Sequence, residues 1–208
     1  VLVLGALGAG LIARRVLRPV AVAGQAAGRM AEGDLSVRVP AETSDELGQL
    51  AVAFNQMAAA LEQQIGALLE AHERERRFAT ARVARLATVT TDGAAHIVPC
   101  CFALLDDRTI VSAIDAKPKS TMALRRLDNI ATNPRVSLVV DQYDDDWSQL
   151  WWVRSDGIAT TLNSGVAYEA ALDALAAKYE QYQVDRPQGV VISIEPNAWR
   201  SWSAKPLA

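Results

Sequence analysis

Two lysines around a proline, Lys117 and Lys119, stand just ahead of Ser120 and Thr121 in the stretch DAKPKSTMALRRLDN, Asp115 to Asn129. The pattern predicts a helix from about Ser120 to Thr132, stopped before Pro134, with Ser120 as its N-cap. Ammonium groups near the free amides and the positive end of a helix dipole favour a phosphate. Arg125 and Arg126, one to two turns later, could add a charge-assisted contact. Lysines in polar loops are also commonly just solvated, so the loop alone names no ligand. Other residue types with chemistry are few. The histidines are His72, on a helical stretch where solvation is expected, and His96, on a strand-like run. Neither a histidine-based triad nor a zinc site is favoured, and no catalytic or metal-ligating residue is assigned. Three tryptophans, Trp147, Trp151 and Trp152, follow the acidic run Asp144, Asp145 and Asp146. Tryptophans stack on flat rings, and Trp147 is the first choice for lining a substrate or cofactor pocket. Trp151 and Trp152 point to opposite faces if they lie in a strand. The aspartates lack regular ligand spacing and read as a solvated turn.

The elements that must carry these residues fall into two parts. The chain has 208 residues, 50% apolar and 22% charged, with a net charge of −3. This suits folded domains, and an even charge distribution argues against nucleic acid as a partner. Cys100 and Cys101 are adjacent in an apolar run and read as small core residues rather than a structural disulfide. VLVLGALGAGLIA at the start, residues 1–13, is uninterrupted apolar sequence followed by Arg14, Arg15 and Arg18. Crossing a bilayer takes about twenty such residues. Because the chain also lacks an initiator Met, this stretch is expected to be the cut-off end of a transmembrane helix, its arginines marking the cytoplasmic side; a buried or signal-peptide segment is the other reading.

Pro19 to Met30 predicts a short amphipathic helix ended by Gly33, and GDLSVRVP, Gly33 to Pro40, alternates Leu35, Val37 and Val39 as an extended connector. From Leu47 to about Arg77 the period is helical. Leu47, Phe54, Leu61 and Leu68 recur every seven residues with Met57, Ala58 and Ile65 between them, the seam of a parallel coiled coil. With LRP at Leu17 to Pro19, DELGQL at Asp45 to Leu50 and FNQM at Phe54 to Met57, residues 14–77 resemble a HAMP domain, the relay that follows transmembrane helices in sensor kinases and chemoreceptors. The resemblance implies a parallel four-helix bundle made by two chains, hence a homodimer. A hairpin that only tethers or dimerises fits the same residues.

After Phe78 the period changes to two. RLATVTTDG, AAHIVPCCFALL and RTIVSAID read as strands divided by hairpin signals at Asp92-Gly93 and Asp106-Asp107. RVSLVVDQY, WWVRSDGIATTL and GVVISIEPNAWRSWSA read as further strands, and Ser164 to Tyr182 as an amphipathic helix. Six or so strands with two helices make an antiparallel barrel of the α+β class, over residues 78–208. The order RRFATARVARLATVTTDGAAHIVP, AKPKSTMALRRLDNIATNPRVSLVVD, YDDDWSQLWWVRSDGIA and WRSWSA resembles the pyridoxamine-phosphate-oxidase-like split barrels, FMN-binding in type. It is most similar to the branch of deazaflavin (coenzyme F-420) dependent oxidoreductases. That resemblance implies a dimer with each cofactor in an interface groove, hydride transfer to a small-molecule substrate, and a phosphate held by Lys117, Lys119, Ser120 and Thr121. It also places Thr90, His96, Val98 and Pro99 near the cofactor ring or tail. FMN is the alternative cofactor. Pyridoxamine phosphate oxidases carry an Arg- and His-containing substrate motif near the C-terminus that WRSWSAKPLA lacks, which disfavours pyridoxal-type substrates.

ERERRF runs straight into ATARVARLATV, with no phosphoacceptor-histidine motif and no Gly-rich ATP domain after it. A histidine kinase is excluded for these residues. The expectation is a dimeric oxidoreductase with cytoplasmic domains, anchored to the cell membrane by its N-terminal helix. The alternatives are a sensor whose barrel binds cofactor without turnover and a join of two unrelated sequences.

Overall fold

The computed structural model describes residues 17–41, 45–114 and 124–205. They belong to two compact units, residues 1–71 and 72–208. In the first, helix α1 spans Arg18–Ala31 with Pro19 in its first turn, where a missing amide costs nothing. Gly33 ends it by taking a φ of +98°, open to glycine without strain. The connector then buries Val37 and Val39 against Ala26 and Ala51. Among the described residues it has no partner strand. Instead the Asn55 carboxamide accepts from the Val39 amide and donates to the Val39 carbonyl, both at 2.8 Å, standing in for one rung of a sheet. The Asp45 carboxylate accepts from Gly48 N–H at 3.1 Å and caps helix α2, Glu46–Thr80. Along α2 the seven-residue seam divides. Ala58 is buried and Leu47 and Phe54 are half-buried, whereas Met57, Leu61, Ile65 and Leu68 are 52%, 36%, 42% and 69% exposed. Among the described residues no helix is long and apolar enough to cross a membrane; the stretch expected to do so, 1–13, lies outside them.

The second unit begins in the last turns of α2. Phe78 is fully buried there, edge-on to Phe102 and Trp199 with ring centroids 5.0 and 4.9 Å apart. Seven strands follow: β1 Ala84–Val89, β2 Ala95–Cys100, β3 Ala103–Leu104, β4 Ile110–Ala113, β5 Arg135–Gln142, β6 Trp151–Leu162 and β7 Val191–Ser203. All pairings are antiparallel, in the order β2-β1-β5-β6-β7-β4-β3. The two edges of this sheet are consecutive in sequence, with only Cys101 and Phe102 between β2 and β3. Laid flat, seven strands would hold their edges about 29 Å apart, yet two residues bridge at most about 11 Å. The sheet therefore curls until its edges meet, as the expected barrel requires, and the run AAHIVPCCFALL, expected as one strand, breaks at that corner.

Tyr179 fastens the corner. Its hydroxyl accepts from Phe102 N–H at 3.0 Å and sits 2.9 Å from the carbonyls of Phe102 and Arg82, one of which takes its proton. To reach it, Tyr179 leaves helical geometry (φ −124°, ψ 111°). The single helix expected from Ser164 to Tyr182 is accordingly two, α4 Val166–Lys178 and α5 Glu180–Val184. The curled sheet encloses Leu86, Ile110, Leu138, Val153, Ile192 and Ile194; a second cluster packs Tyr168, Leu172 and Leu175 of α4 against Ala103 and Val111. Strand β6 crosses β7 at a bulge by Gly157, where a Cβ would lie 2.5 Å from the Glu195 carbonyl.

Candidate functional site

Helix α3, Arg125–Thr132, follows in the chain the stretch expected to hold a phosphate. It starts later than its sequence suggests. Leu124 is extended (φ −95°, ψ 107°) with no side-chain cap, so the first-turn amides of this helix begin at Arg125. An aliphatic residue and two bulky arginines replace the polar residue a cap needs. Lys117, Lys119, Ser120 and Thr121 lie outside the described residues, between Ile114, whose amide donates to the Val190 carbonyl at 2.9 Å, and Leu124.

The helix is pinned to the β1–β2 hairpin by a buried polar contact. Asn129 Nδ2 donates to Thr88 Oγ1 at 2.8 Å, and that hydroxyl lies 3.4 Å from both Nδ1 and the carbonyl of His96, its cross-strand neighbour. Thr88 and Asn129 are 2% and 5% exposed. An amide and a hydroxyl removed from water need each other, so this contact fixes where α3 starts relative to the hairpin. Asn129 was missed in the sequence; an Asn one turn after the arginines on an amphipathic helix was its only signal. Arg126 adds a second feature. Its Nε is buried with no hydrogen-bond partner among the described residues, while Arg125 is exposed.

The other expected contacts are distributed unevenly. Thr90 is committed to the hairpin turn: its hydroxyl accepts from Ala94 N–H at 2.9 Å and faces the Ala94 carbonyl and the Asp92 carboxylate. Those contacts, the Thr90 hydroxyl first, hold the Asp92 carboxyl below its ordinary range, with the charge of Arg125 assisting. On β2 the period of two divides the expected edge. His96 and Val98 turn inward, Val98 against the barrel core, whereas Pro99 shares the outer face with Ile97, which is 62% exposed. Trp147 sits on a 3₁₀ turn, Trp147–Gln149, and is 70% exposed. Pairing of Arg85 with Val139 and of Gln142 with Trp151 puts that turn at the end of the sheet where β1 begins. Thr90 lies past the other end of β1, so one protomer does not bring Trp147 and Thr90 together.

Elsewhere the titratable groups serve the corner. Cys100 packs on the barrel core and Cys101 on the α4 cluster, as adjacent residues on opposite faces must; both are free thiols. Burial pushes the Cys100 thiol up. Lys178 Nζ is buried without a hydrogen-bond partner among the described residues, 3.7 Å from the centre of the Phe102 ring. Burial, then the charge of Arg82, brings its pKa down to about 8. The Tyr179 phenol is pushed up to about 12, burial again being the main cause.

Known proteins place both units. Residues 11–63 match the HAMP domain. Residues 54–203, most of the chain and the whole sheet, match pyridoxamine 5'-phosphate oxidase. The chain belongs to the pyridoxamine 5'-phosphate oxidase family. Its curled antiparallel sheet is that family's fold, and a HAMP domain precedes it. Among curated proteins, the sensor histidine kinase MtrB of Mycobacterium tuberculosis is 46% identical over 68 residues, which are 33% of this chain and 12% of that protein. The chain thus spans about an eighth of the length of the curated relatives it matches. Among solved structures, a conserved hypothetical protein of Mycobacterium tuberculosis superposes with a TM-score of 0.52 and 21% identity, over 64% of this chain and 83% of that one. A FAD-binding protein of Mesorhizobium loti gives 0.50 and 22%, over 63% and 90%. At these identities the likeness is one of fold.

Proposed function

We propose that this member of the pyridoxamine 5'-phosphate oxidase family is an oxidoreductase that uses a deazaflavin, coenzyme F-420, with FMN as the alternative, and works as a homodimer. The observation that carries the reading is the start of α3. Arg126 Nε lies there, buried and without a partner among the described residues, one turn from Asn129, whose bond to Thr88 holds the helix against the hairpin. An unsatisfied buried guanidinium donor suits an oxyanion, so these residues fit a cofactor phosphate. Arg126 would hold it together with Lys117 and Lys119. His96 and Pro99 line the hairpin edge on its two faces, and Val98 acts as wall rather than contact. The bound cofactor supplies hydride chemistry, and the chain positions it and keeps water from it. The HAMP unit, which in this reading stands behind a membrane helix, adds a second dimerisation surface.

The test is titration of the full chain with coenzyme F-420 and with FMN, followed by tryptophan fluorescence, beside Lys117→Ala/Lys119→Ala and Arg126→Met variants. Selective F-420 binding weakened about tenfold or more by either variant is expected. Binding of FMN alone moves the protein to the flavin branch, and binding of neither sinks the oxidoreductase reading. A second reading, a sensor, is favoured by the HAMP match and the kinase relative. Tight binding with no turnover of reduced cofactor by any acceptor would select it.

A further inference from the structure

We propose that the 72–208 unit has a second binding site, for a small organic anion with a flat aromatic part, in a cleft where the last turn of α2 meets the ends of β5, β6 and β7. The cleft encloses ≈ 320 Å³, at the lower end of the range for small-molecule sites. That is room for a single-ring ligand rather than a tricyclic cofactor. It stands apart from the α3 site and does not rest on the cofactor reading.

The charge of the lining carries the argument. Arg76, Arg77 and Lys205 line it and no acidic residue does. Both arginines share one carboxylate: Glu73 takes Nε and an outer nitrogen of Arg76 at 2.6 and 2.8 Å, but only Nε of Arg77, at 2.8 Å. Among the described residues the outer nitrogens of Arg77 have no hydrogen-bond partner and are left for a ligand, while the Glu73 bond fixes the plane of its guanidinium. That fork suits a carboxylate. Asp146, whose carboxyl feels the charge of Lys205, lies outside the lining and accepts from Ser148 N–H at 3.0 Å.

The lining also has a flat component. The Arg77 guanidinium carbon stands 5.3 Å from the centre of the Trp151 ring, and that ring is half-buried against the barrel core. Trp151 Nε1 donates to Gln142 Oε1 at 3.0 Å, which orients the indole and turns the Gln142 amide nitrogen free as a further donor. The indole thus backs the Arg77 guanidinium as a flat, rigid support, and a planar fork held in one orientation selects a planar anion over a compact one.

The probe is benzoate, titrated into the full chain by calorimetry and by the indole N–H resonance of Trp151, with cyclohexanecarboxylate and inorganic phosphate as comparisons. Benzoate is expected to shift that resonance and to bind severalfold more tightly than either comparison. Arg77→Met should weaken it about tenfold and the exposed Lys205→Gln about threefold, with helix content unchanged. An unmoved Trp151 signal, equal binding of phosphate or cyclohexanecarboxylate, or wild-type affinity in Lys205→Gln would overturn the proposal. If Arg77→Met does not fold, Lys205→Gln decides.

Discussion

Glu73 holds two arginines at once, and their hydrogen bonds, that to Arg76 first, bring its pKa down to about 2 from an ordinary 4.5. A carboxylate depressed by folding stabilises the native state above its ordinary pKa, and that contribution is lost as the pH falls from 4.5 toward 2. Glu73→Gln should therefore melt lower than wild type at pH 6, with the gap closing by pH 2.5; a constant gap would show that the arginines do not act through the charge. Lys178 works in the opposite sense. Its folded pKa of about 8 lies below the ordinary 10.5, so between those values the unfolded chain holds a proton the folded chain lacks, and stability rises with pH. Below pH 8 the penalty for burying the ammonium is fully present. Lys178→Met is expected to melt higher than wild type at pH 7, with the advantage shrinking from pH 8 to 10.5. An advantage equal at pH 7 and pH 10 would assign the effect to packing alone.

Among the elements, the β2–β3 corner has the most concentrated wiring. Removing the Tyr179 hydroxyl leaves Phe102 N–H buried and unpartnered, which costs about 1–3 kcal/mol. Tyr179→Phe should lose that amount in urea unfolding, and amide exchange at Phe102 should accelerate well beyond that of β5. Uniform acceleration would mean that the corner is not a separate fastening. The strands themselves were legible. Periods of two in RVSLVVDQY and WWVRSDGIATTL gave β5 and β6 to within a residue, because a half-buried strand writes its alternation into its composition. The start of α3 was not legible. Ser120 followed by apolar and basic residues has the pattern of a capped helix, yet Leu124 is extended; helix propensity over a few residues is weak enough for tertiary contacts to override it.

At the scale of the whole molecule the seam of α2 sets the assembly to be tested. Leu61, Ile65 and Leu68 bare their side chains on a single chain while Ala51 and Ala58 are covered, which is the exposure a second copy would remove. Leu61→Lys/Leu68→Lys is expected to shift the full chain from dimer toward monomer in sedimentation velocity, and an unchanged dimer would place its interface elsewhere. The residue sequence by itself determined the long helix α2, the antiparallel strands and the family, since each is set by periodicity and local motif over tens of residues. Only the tertiary structure decided which residues share a site. The curl of the sheet and its register put Thr90 and Trp147 at opposite ends, turned Val98 inward, and joined Asn129 to Thr88 across 41 positions of chain. Such pairings depend on how a sheet closes on itself, and no local spacing in the chain records that.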